Sequence, residues 1–236
     1  MVYGLSMKDS GRTKQKLKPK RNLTLSSRQW LERQLNDPYV KRAKSEGYRS
    51  RAAYKLAEID DKARFLKRGS RVVDLGAAPG GWSQIAAERT CADDGKGRVI
   101  AIDLMNVETI KGVDFLQFDF LDEKAVQMLK SMLQGPADVV LSDMAGNTTG
   151  HRQTDHIKIV ALVEAAAEFA RQVLAPGGTF LAKVIQGGTE HSLLVDLKRD
   201  FSSVKHIKPP ASRSDSAELY VLATGFRGRN YPFSSR

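Results

Sequence analysis

The chain has 236 residues, of which 41% are hydrophobic, so it can bury one sizeable core and a modest appendage. Because Cys91 is the only cysteine, the chain cannot form an internal disulfide. One cysteine is also too few for a structural zinc site, and we predict no metal. The net charge of +11 favours a polyanionic partner such as a nucleic acid.

No targeting segment is recognisable at the amino terminus, because no cationic stretch is followed there by an apolar one. The most apolar helical stretch, residues 157–173, is interrupted by Glu164 and Glu168. We therefore predict a cytoplasmic protein that is neither exported nor inserted in a membrane. Residues 1–25 are predicted to form a disordered basic arm, because residues 1–21 carry seven lysines and arginines against one acid.

Residues 26–69 are predicted to form a helical segment packed on the core. One helix covers about residues 26–44, with Trp30 on its apolar face, and a second begins at Ser50 as N-cap. Lys55 lies at the edge of the buried face of the second helix. From spacing alone, a solvated surface lysine is the commoner interpretation of Lys55.

Residues 70–225 alternate between short apolar runs and longer amphipathic stretches, which is typical of a mostly parallel sheet with helices on both faces. No helix separates the last two strands, so the final strand is predicted to return antiparallel. This gives an α/β fold with seven strands, and residues 226–236 are predicted to be a flexible tail. The predicted strands cover residues 71–75, 98–103, 113–118, 137–142, 178–185, 204–208 and 218–224, and the helices cover about residues 81–88, 123–133, 154–174 and 190–200.

A glycine-rich turn follows the first of these strands. It contains Gly76, Gly80 and Gly81 and precedes a helix, which is where an open α/β sheet binds a nucleotide-like cofactor. No Gly-Lys-Ser/Thr follows, which excludes a P-loop, and the glycines do not have the dinucleotide-binding spacing. A different adenosine-bearing cofactor is therefore predicted.

Three carboxylates end successive strands of the predicted sheet. Asp103 lies at the offset typical of a ribose ligand, Asp119 is placed to reach an adenine amino group, and Asp143 ends the fourth strand. Taken singly, each is more often a turn or capping residue. Lys183 is unusual because it lies within a strand that should be apolar on both faces, whereas Glu218, which opens the last strand, is by itself more often a strand-edge charge.

Four segments together resemble the FtsJ family of S-adenosylmethionine-dependent RNA 2′-O-ribose methyltransferases. They are residues 50–56 (Ser-Arg-Ala-Ala-Tyr-Lys-Leu), 76–83 (Gly-Ala-Ala-Pro-Gly-Gly-Trp-Ser), 142–145 (Ser-Asp-Met-Ala) and 183–187 (Lys-Val-Ile-Gln-Gly). The resemblance covers about residues 37–225. It implies a Rossmann-like methyltransferase fold and, most closely, the bacterial members that act on a uridine in 23S rRNA of the large ribosomal subunit.

The resemblance also implies roles for single residues. The family's catalytic tetrad corresponds here to Lys55, Asp143, Lys183 and Glu218. S-adenosylmethionine contacts are implied for Gly80, Trp82, Asp103, Asp119 and Asp143. One departure is Gly146, where similar bacterial enzymes often carry proline.

Methyl transfer to a hydroxyl requires a positioned nucleophile and removal of its proton. As general base, Lys183 must be reachable in its neutral form, which burial and the neighbouring Lys55 favour and which Asp143 and Glu218 oppose. The residues therefore leave a second role open, in which Lys183 orients the 2′-hydroxyl by hydrogen bonding.

The RNA is expected to meet the basic face of the helical segment. The predicted phosphate contacts are Arg49, Arg51, Lys55, Arg213 and the arm, and the target nucleotide is predicted to be unpaired. The need for a 2′-hydroxyl excludes DNA, and we expect a monomer. Three alternatives remain open: an RNA 2′-O-methyltransferase acting on tRNA or mRNA caps, a catalytically silent ribosome assembly factor and, more distantly, an NAD-dependent oxidoreductase.

Overall fold

A computed structural model describes residues 25–145, 152–186 and 191–228. The predictions for Gly146, for nearly all of the basic arm and for most of the tail lie outside these residues, as does the packing of the Trp30 side chain. Within the described residues, no helix is long and apolar enough to cross a membrane.

Seven strands form a single sheet in the order β3-β2-β1-β4-β5-β7-β6. The pairs from β3 to β5 are parallel, and β7 is antiparallel to both β5 and β6. The predicted mostly parallel sheet with an antiparallel last strand is therefore confirmed. The strands are β1 (Arg71–Leu75), β2 (Arg98–Asp103), β3 (Val113–Gln117), β4 (Ala137–Ser142), β5 (Leu174–Ile185), β6 (Phe201–Ile207) and β7 (Glu218–Phe226).

Helices cover both faces of the sheet because its central strands are apolar on both sides. In β1, Val73 belongs to one core cluster, whereas Val72 belongs to the other. The first cluster includes Leu129, Phe169 and Leu197 from three different helices, and the second is built on two others. The helices are α1 (Leu25–Asn36), α2 (Pro38–Glu46), α3 (Ala52–Ala63), α4 (Gly81–Thr90), α5 (Glu123–Leu133), α6 (Arg152–Val173) and α7 (His191–Asp200).

The amino-terminal helical segment differs from the prediction in two places. The single helix predicted over residues 26–44 is two helices, α1 and α2, because Pro38 has no N–H to continue the first and instead begins the second. Asp37 caps α2 by accepting a hydrogen bond from the Tyr39 N–H at 3.0 Å. Helix α3 has Arg51 rather than Ser50 at its N-cap, and the Arg51 side chain makes no capping hydrogen bond to the helix.

Three strands are longer than predicted. Strand β5 begins at Leu174 rather than 178, because the Pro-Gly-Gly run at residues 176–178 lies in a register irregularity between β4 and β5. Strand β6 begins at Phe201, directly after α7. Strand β7 continues to Phe226, which is buried with its ring centroid 5.2 Å from that of Phe201, so this residue is not part of a loose tail.

Candidate active site

The glycine-rich turn between β1 and α4 is tied to the end of β2. The Gly76 and Ala77 N–H groups donate to the Ile102 carbonyl at 2.9 and 3.1 Å. The Asp103 carboxylate accepts from the Ala78 N–H and from the Met105 N–H, both at 2.8 Å. Asp103 therefore connects this turn to the loop that follows β2.

Gly76 and Gly80 both have positive φ angles and lie very close to other parts of the chain. A Cβ on Gly76 would lie 2.6 Å from Met144 Cγ, and one on Gly80 would lie 2.7 Å from Ile110 Cδ1. Packing therefore requires glycine at position 76, where the Met144 backbone also lies within 3.0 Å, whereas at Gly80 the close contact is a side-chain methyl and the positive φ is the stronger constraint. The sequence pattern alone indicated only close approach to a ligand.

Lys183 and Asp143 form an ion pair at the carboxyl ends of β5 and β4. The Lys183 ammonium donates to the Asp143 backbone carbonyl at 2.6 Å and lies 3.1 Å from Asp143 Oδ1. Lys183 is only 8% exposed, so the pair is largely shielded from water.

Tyr220 was not identified from the sequence, although it lies opposite Lys183 in the β5–β7 register. Its hydroxyl donates to Asp143 Oδ1 at 3.1 Å. Burial, reinforced by the charges of Asp143 and Glu218, raises the pKa of Tyr220 well above its ordinary value of 10.0. The phenol therefore stays protonated and donates to the carboxylate.

Lys55 and Glu218 form a second ion pair beside the first. Lys55 Nζ lies 2.8 Å from Glu218 Oε2 and 5.8 Å from the ring centroid of Tyr220. Burial acts to raise the pKa of Glu218, but the charge and hydrogen bond of Lys55, with the charge of Lys183, outweigh it and leave the pKa lowered. Lys55 is buried, so the solvated-lysine interpretation is wrong.

The sheet and helix α3 thus bring the four predicted tetrad residues together as two ion pairs, with Tyr220 between them. Two of the cofactor candidates also have contacts within the protein. Trp82 is buried, its indole N–H donates to the Ala52 carbonyl at 2.9 Å, and its ring centroid lies 5.6 Å from that of Tyr220. Its side chain therefore supports Tyr220 from inside the core. Asp119 is exposed and accepts from the Leu121 N–H at 2.9 Å, as a turn residue does.

Asp74 is a second residue that the sequence analysis did not single out. It is fully buried in β1, and one carboxylate oxygen accepts from the Ser83 hydroxyl at 2.6 Å, while the other has no hydrogen-bond partner among the described residues. Burial raises the pKa of Asp74 to about 7; the Ser83 hydrogen bond opposes this rise, and the charges of Asp143 and Asp103 add to it. The available signal was a carboxylate inside an otherwise apolar strand.

An open pocket of about 270 Å³ lies beside the Lys55–Glu218 pair, and Arg33, Arg213 and Ser216 are among its lining residues. Arg51 also lines it, but its guanidinium pairs with Asp37 and donates to the Ala211 carbonyl. Arg213 pairs with the same Asp37 carboxylate at 3.2 Å.

Arg49 likewise donates to backbone carbonyls, among them Glu108 and Thr109. The phosphate contacts predicted for Arg49, Arg51 and Arg213 stay predictions, and the structure shows that each guanidinium also donates to groups of the protein. Among the residues described, no cluster of His, Cys, Asp and Glu is suited to a metal ion.

Residues 48–226 match the model of the FtsJ-like methyltransferase family. The chain is 66% identical over 215 residues to "Ribosomal RNA large subunit methyltransferase E" of Xanthobacter autotrophicus, covering 91% of this chain and 85% of the relative. It is 63% identical over 220 residues to the protein of the same name from Azorhizobium caulinodans, covering 93% and 92%.

A crystal structure of a ribosomal RNA methyltransferase from Plasmodium falciparum superposes with a TM-score of 0.68. The two are 33% identical, and the match covers 77% of this chain and 100% of the other. The family match spans the glycine-rich turn and both ion pairs of the site. The chain belongs to the FtsJ-like methyltransferase family.

Proposed function

We propose that this protein transfers a methyl group from S-adenosylmethionine to the ribose 2′-hydroxyl of a uridine in 23S rRNA of the large ribosomal subunit. The observation that carries the proposal is the pairing of Lys183 with Asp143 and of Lys55 with Glu218 beside the glycine-rich turn. The relatives named as large-subunit rRNA methyltransferases, which match over most of the chain, support the choice of substrate. We accordingly propose that the protein acts in the cytoplasm.

The residues present fit S-adenosylmethionine. Leu104, Met105 and Leu121 are exposed by 65%, 69% and 60% at the ends of β2 and β3, so an apolar surface is available there for an adenine ring. Asp103 and Asp119 lie beside it with carboxylate oxygens that can accept from ribose hydroxyls and an amino group. When bound, the cofactor supplies a methyl group activated on a sulfonium.

The glycine-rich turn completes this cofactor site. Gly80 is the N-cap of α4, and the first N–H groups of a helix have no partner within the helix. They can therefore donate to the polar end of the cofactor. Trp82 contributes by holding Tyr220, and Asp143 lies between this turn and Lys183.

Lys183 is the group proposed to act on the 2′-hydroxyl. An ammonium has three N–H donors, and the carbonyl and the carboxylate of Asp143 occupy two of them. The third can hold the hydroxyl, and loss of a proton from Lys183 would make it a general base. The two acceptors on Asp143 favour the orienting role, while Lys55 and Glu218 keep the surrounding network in place.

The substrate RNA is proposed to lie along the pocket beside Lys55 and Glu218. We propose that residues 26–69 contact RNA and contribute Lys55 to the site. Residues 70–225 form the proposed methyltransferase domain. The phosphate contacts fall to the basic arm and to the cations that line this pocket, and the target is an unpaired nucleotide.

Methyl transfer to a panel of RNAs tests this proposal. Wild-type protein and Lys183→Ala are incubated with labelled S-adenosylmethionine and, in turn, large subunits from cells lacking the protein, tRNA and capped RNA. Label is expected in the large subunit alone, with a rate at least about 100-fold lower for Lys183→Ala. Lys205→Ala, an exposed lysine on β6, is the matched control and should react like wild type.

Label on tRNA or capped RNA but not on the large subunit would show that the proposed substrate is wrong and that the labelled RNA is the substrate. Subunit binding without transfer to any of the three RNAs would favour the assembly-factor alternative.

A further inference from the structure

Arg49 joins three parts of the chain although it lies in the short connection between α2 and α3. Its Nη1 donates to the Glu108 carbonyl at 2.7 Å and to the Pro79 carbonyl at 3.4 Å, and its Nη2 donates to the Thr109 carbonyl at 2.9 Å. Two of these carbonyls belong to the loop after β2, and the third belongs to the glycine-rich turn.

The position of Arg49 is itself fixed by α4. Its backbone N–H donates to Gln84 Oε1 at 2.9 Å, and Gln84 Nε2 donates to the Gly47 carbonyl at 3.0 Å. The backbone of Arg49 is therefore fixed to α4, and its guanidinium reaches the loop from a defined position.

Packing around Gly80 shows how tightly the loop is held. A Cβ placed on Gly80 would lie 2.7 Å from Ile110, 3.1 Å from Cδ of Arg49 and 3.2 Å from Val107. The loop and the arginine stem thus cover the turn directly. Asp103 fixes the start of the same loop through the Met105 N–H, whereas Arg49 fixes its end.

We propose that Arg49 is a positioning residue for the cofactor site rather than an RNA ligand. It holds residues 104–110 against the glycine-rich turn, so that the apolar surface formed by Leu104 and Met105 is in place before the cofactor binds. This inference rests on the proposed use of S-adenosylmethionine. It gives the amino-terminal segment a second task in addition to contributing Lys55.

The substitution Arg49→Lys separates this role from phosphate binding because it keeps the positive charge. A lysine ammonium is a single donor centre and lacks the planar fork that spans several carbonyls. The affinity for S-adenosylhomocysteine is measured by calorimetry, and that for a 23S rRNA fragment by filter binding. Amide hydrogen exchange over residues 104–110 is measured in the cofactor-free protein.

Arg49→Lys is expected to raise the Kd for S-adenosylhomocysteine by about tenfold, the equivalent of one net hydrogen bond, and to leave the Kd for RNA within about twofold. Exchange over residues 104–110 should be faster than in wild type, with an unchanged unfolding midpoint. Arg199→Lys is the control, because Arg199 is an exposed arginine on α7 paired with Asp196 and lies outside the segment assigned to RNA contact. It should change none of these quantities.

A loss of RNA affinity with unchanged S-adenosylhomocysteine affinity would overturn the proposal in favour of a phosphate contact. Unchanged affinities and exchange rates in Arg49→Lys would also overturn it. If wild-type protein itself failed to bind S-adenosylhomocysteine, the proposed function would fail first and this inference with it.

Discussion

Tyr220 illustrates what single residues contribute beyond the recognisable motifs. The acids at the strand ends and the lysine inside β5 could be predicted because their residue types are unusual at those positions. Tyr220 is an ordinary strand residue in the sequence. It becomes important because the antiparallel register places it opposite Lys183 and directs its hydroxyl to Asp143. Register between distant strands is set by tertiary packing and cannot be read from local pattern.

The buried carboxyl of Asp74 makes stability depend on pH in a defined direction. Its pKa is about 7 in the folded protein, against an ordinary value of 3.8. Since the folded-state value is raised, the contribution of Asp74 to the free energy of unfolding is fully present below about pH 4 and is lost as the pH rises toward 7. The cause is burial, with an unpartnered oxygen.

Asp74→Asn should remove this dependence. Urea unfolding between about pH 4.5 and 7.5 is expected to show a steeper loss of stability for wild type than for the variant. Asp114→Asn, which changes a carboxylate with an exposed side chain on β3, serves as control and should follow wild type. Parallel stability curves for wild type and Asp74→Asn would contradict a raised pKa at this position.

At the scale of elements, Asp37 connects the amino-terminal helices to the loop before β7. Its side chain is 7% exposed, accepts from Arg51 and Arg213, and caps α2. The loop that leads to Glu218 is thereby attached to the same helices that carry Lys55.

Asp37→Ala is expected to lower the free energy of unfolding by about 3 kcal/mol, because it leaves two partly buried arginines without their carboxylate. Asp61→Ala removes an exposed partner of Arg89 and should change the free energy of unfolding by less than about 1 kcal/mol. Denaturant unfolding measures both. Equal effects of the two substitutions would show that Asp37 has no special structural role.

Gly80 offers a test of how the turn and the loop after β2 fit together. Gly80→Ala should raise the Kd for S-adenosylhomocysteine at least about tenfold, because the new Cβ would lie 2.7 Å from Ile110 at a φ of +112°. Gly47→Ala is a matched control with φ +80° and no atom within 4 Å of the new Cβ. It should lower stability by about 1 kcal/mol without changing the Kd. Tight binding by Gly80→Ala would contradict this packing account.

The order and type of the elements were predictable because strand and helix periodicities alternate clearly after residue 70. The boundaries that differed follow from local chemistry. The Asp37-Pro38 pair separates α1 from α2 and is a recognisable signal for the start of a helix. It was missed because residues 26–44 were interpreted as one continuous amphipathic pattern. The early start of β5 depends on pairing with β4, which is a tertiary interaction.

For the whole molecule, the net positive charge predicts a polyanionic partner, but it does not predict which lysine and arginine side chains contact that partner. Arg49 and Arg51 are predicted to bind phosphates, and part of each guanidinium also joins loops and helices within the protein. The sequence cannot distinguish these uses, because both require the same side chain. The arm supplies much of the remaining charge, with seven cations and one acid in residues 1–21.

Deletion of residues 1–21 should weaken binding to 23S rRNA and reduce its salt dependence. The slope of log Kd against log salt is expected to fall by about 0.7 for each RNA phosphate that the arm neutralises in the full-length protein. The Kd for S-adenosylhomocysteine should not change. A full-length variant with the seven arm cations replaced by glutamine is the matched control and should behave like the deletion. An unchanged salt slope in both would show that the arm does not bind RNA.

We propose that the site formed by the two ion pairs and Tyr220 catalyses methyl transfer from S-adenosylmethionine to a ribose 2′-hydroxyl of the large-subunit rRNA. Mass spectrometry of nuclease fragments maps the methyl group on 23S rRNA after reaction of undermethylated large subunits with wild type or Lys183→Ala. Wild type is expected to methylate one uridine on its 2′-oxygen, and the variant none. Methylation on a base, or an equal yield from Lys183→Ala, would contradict it.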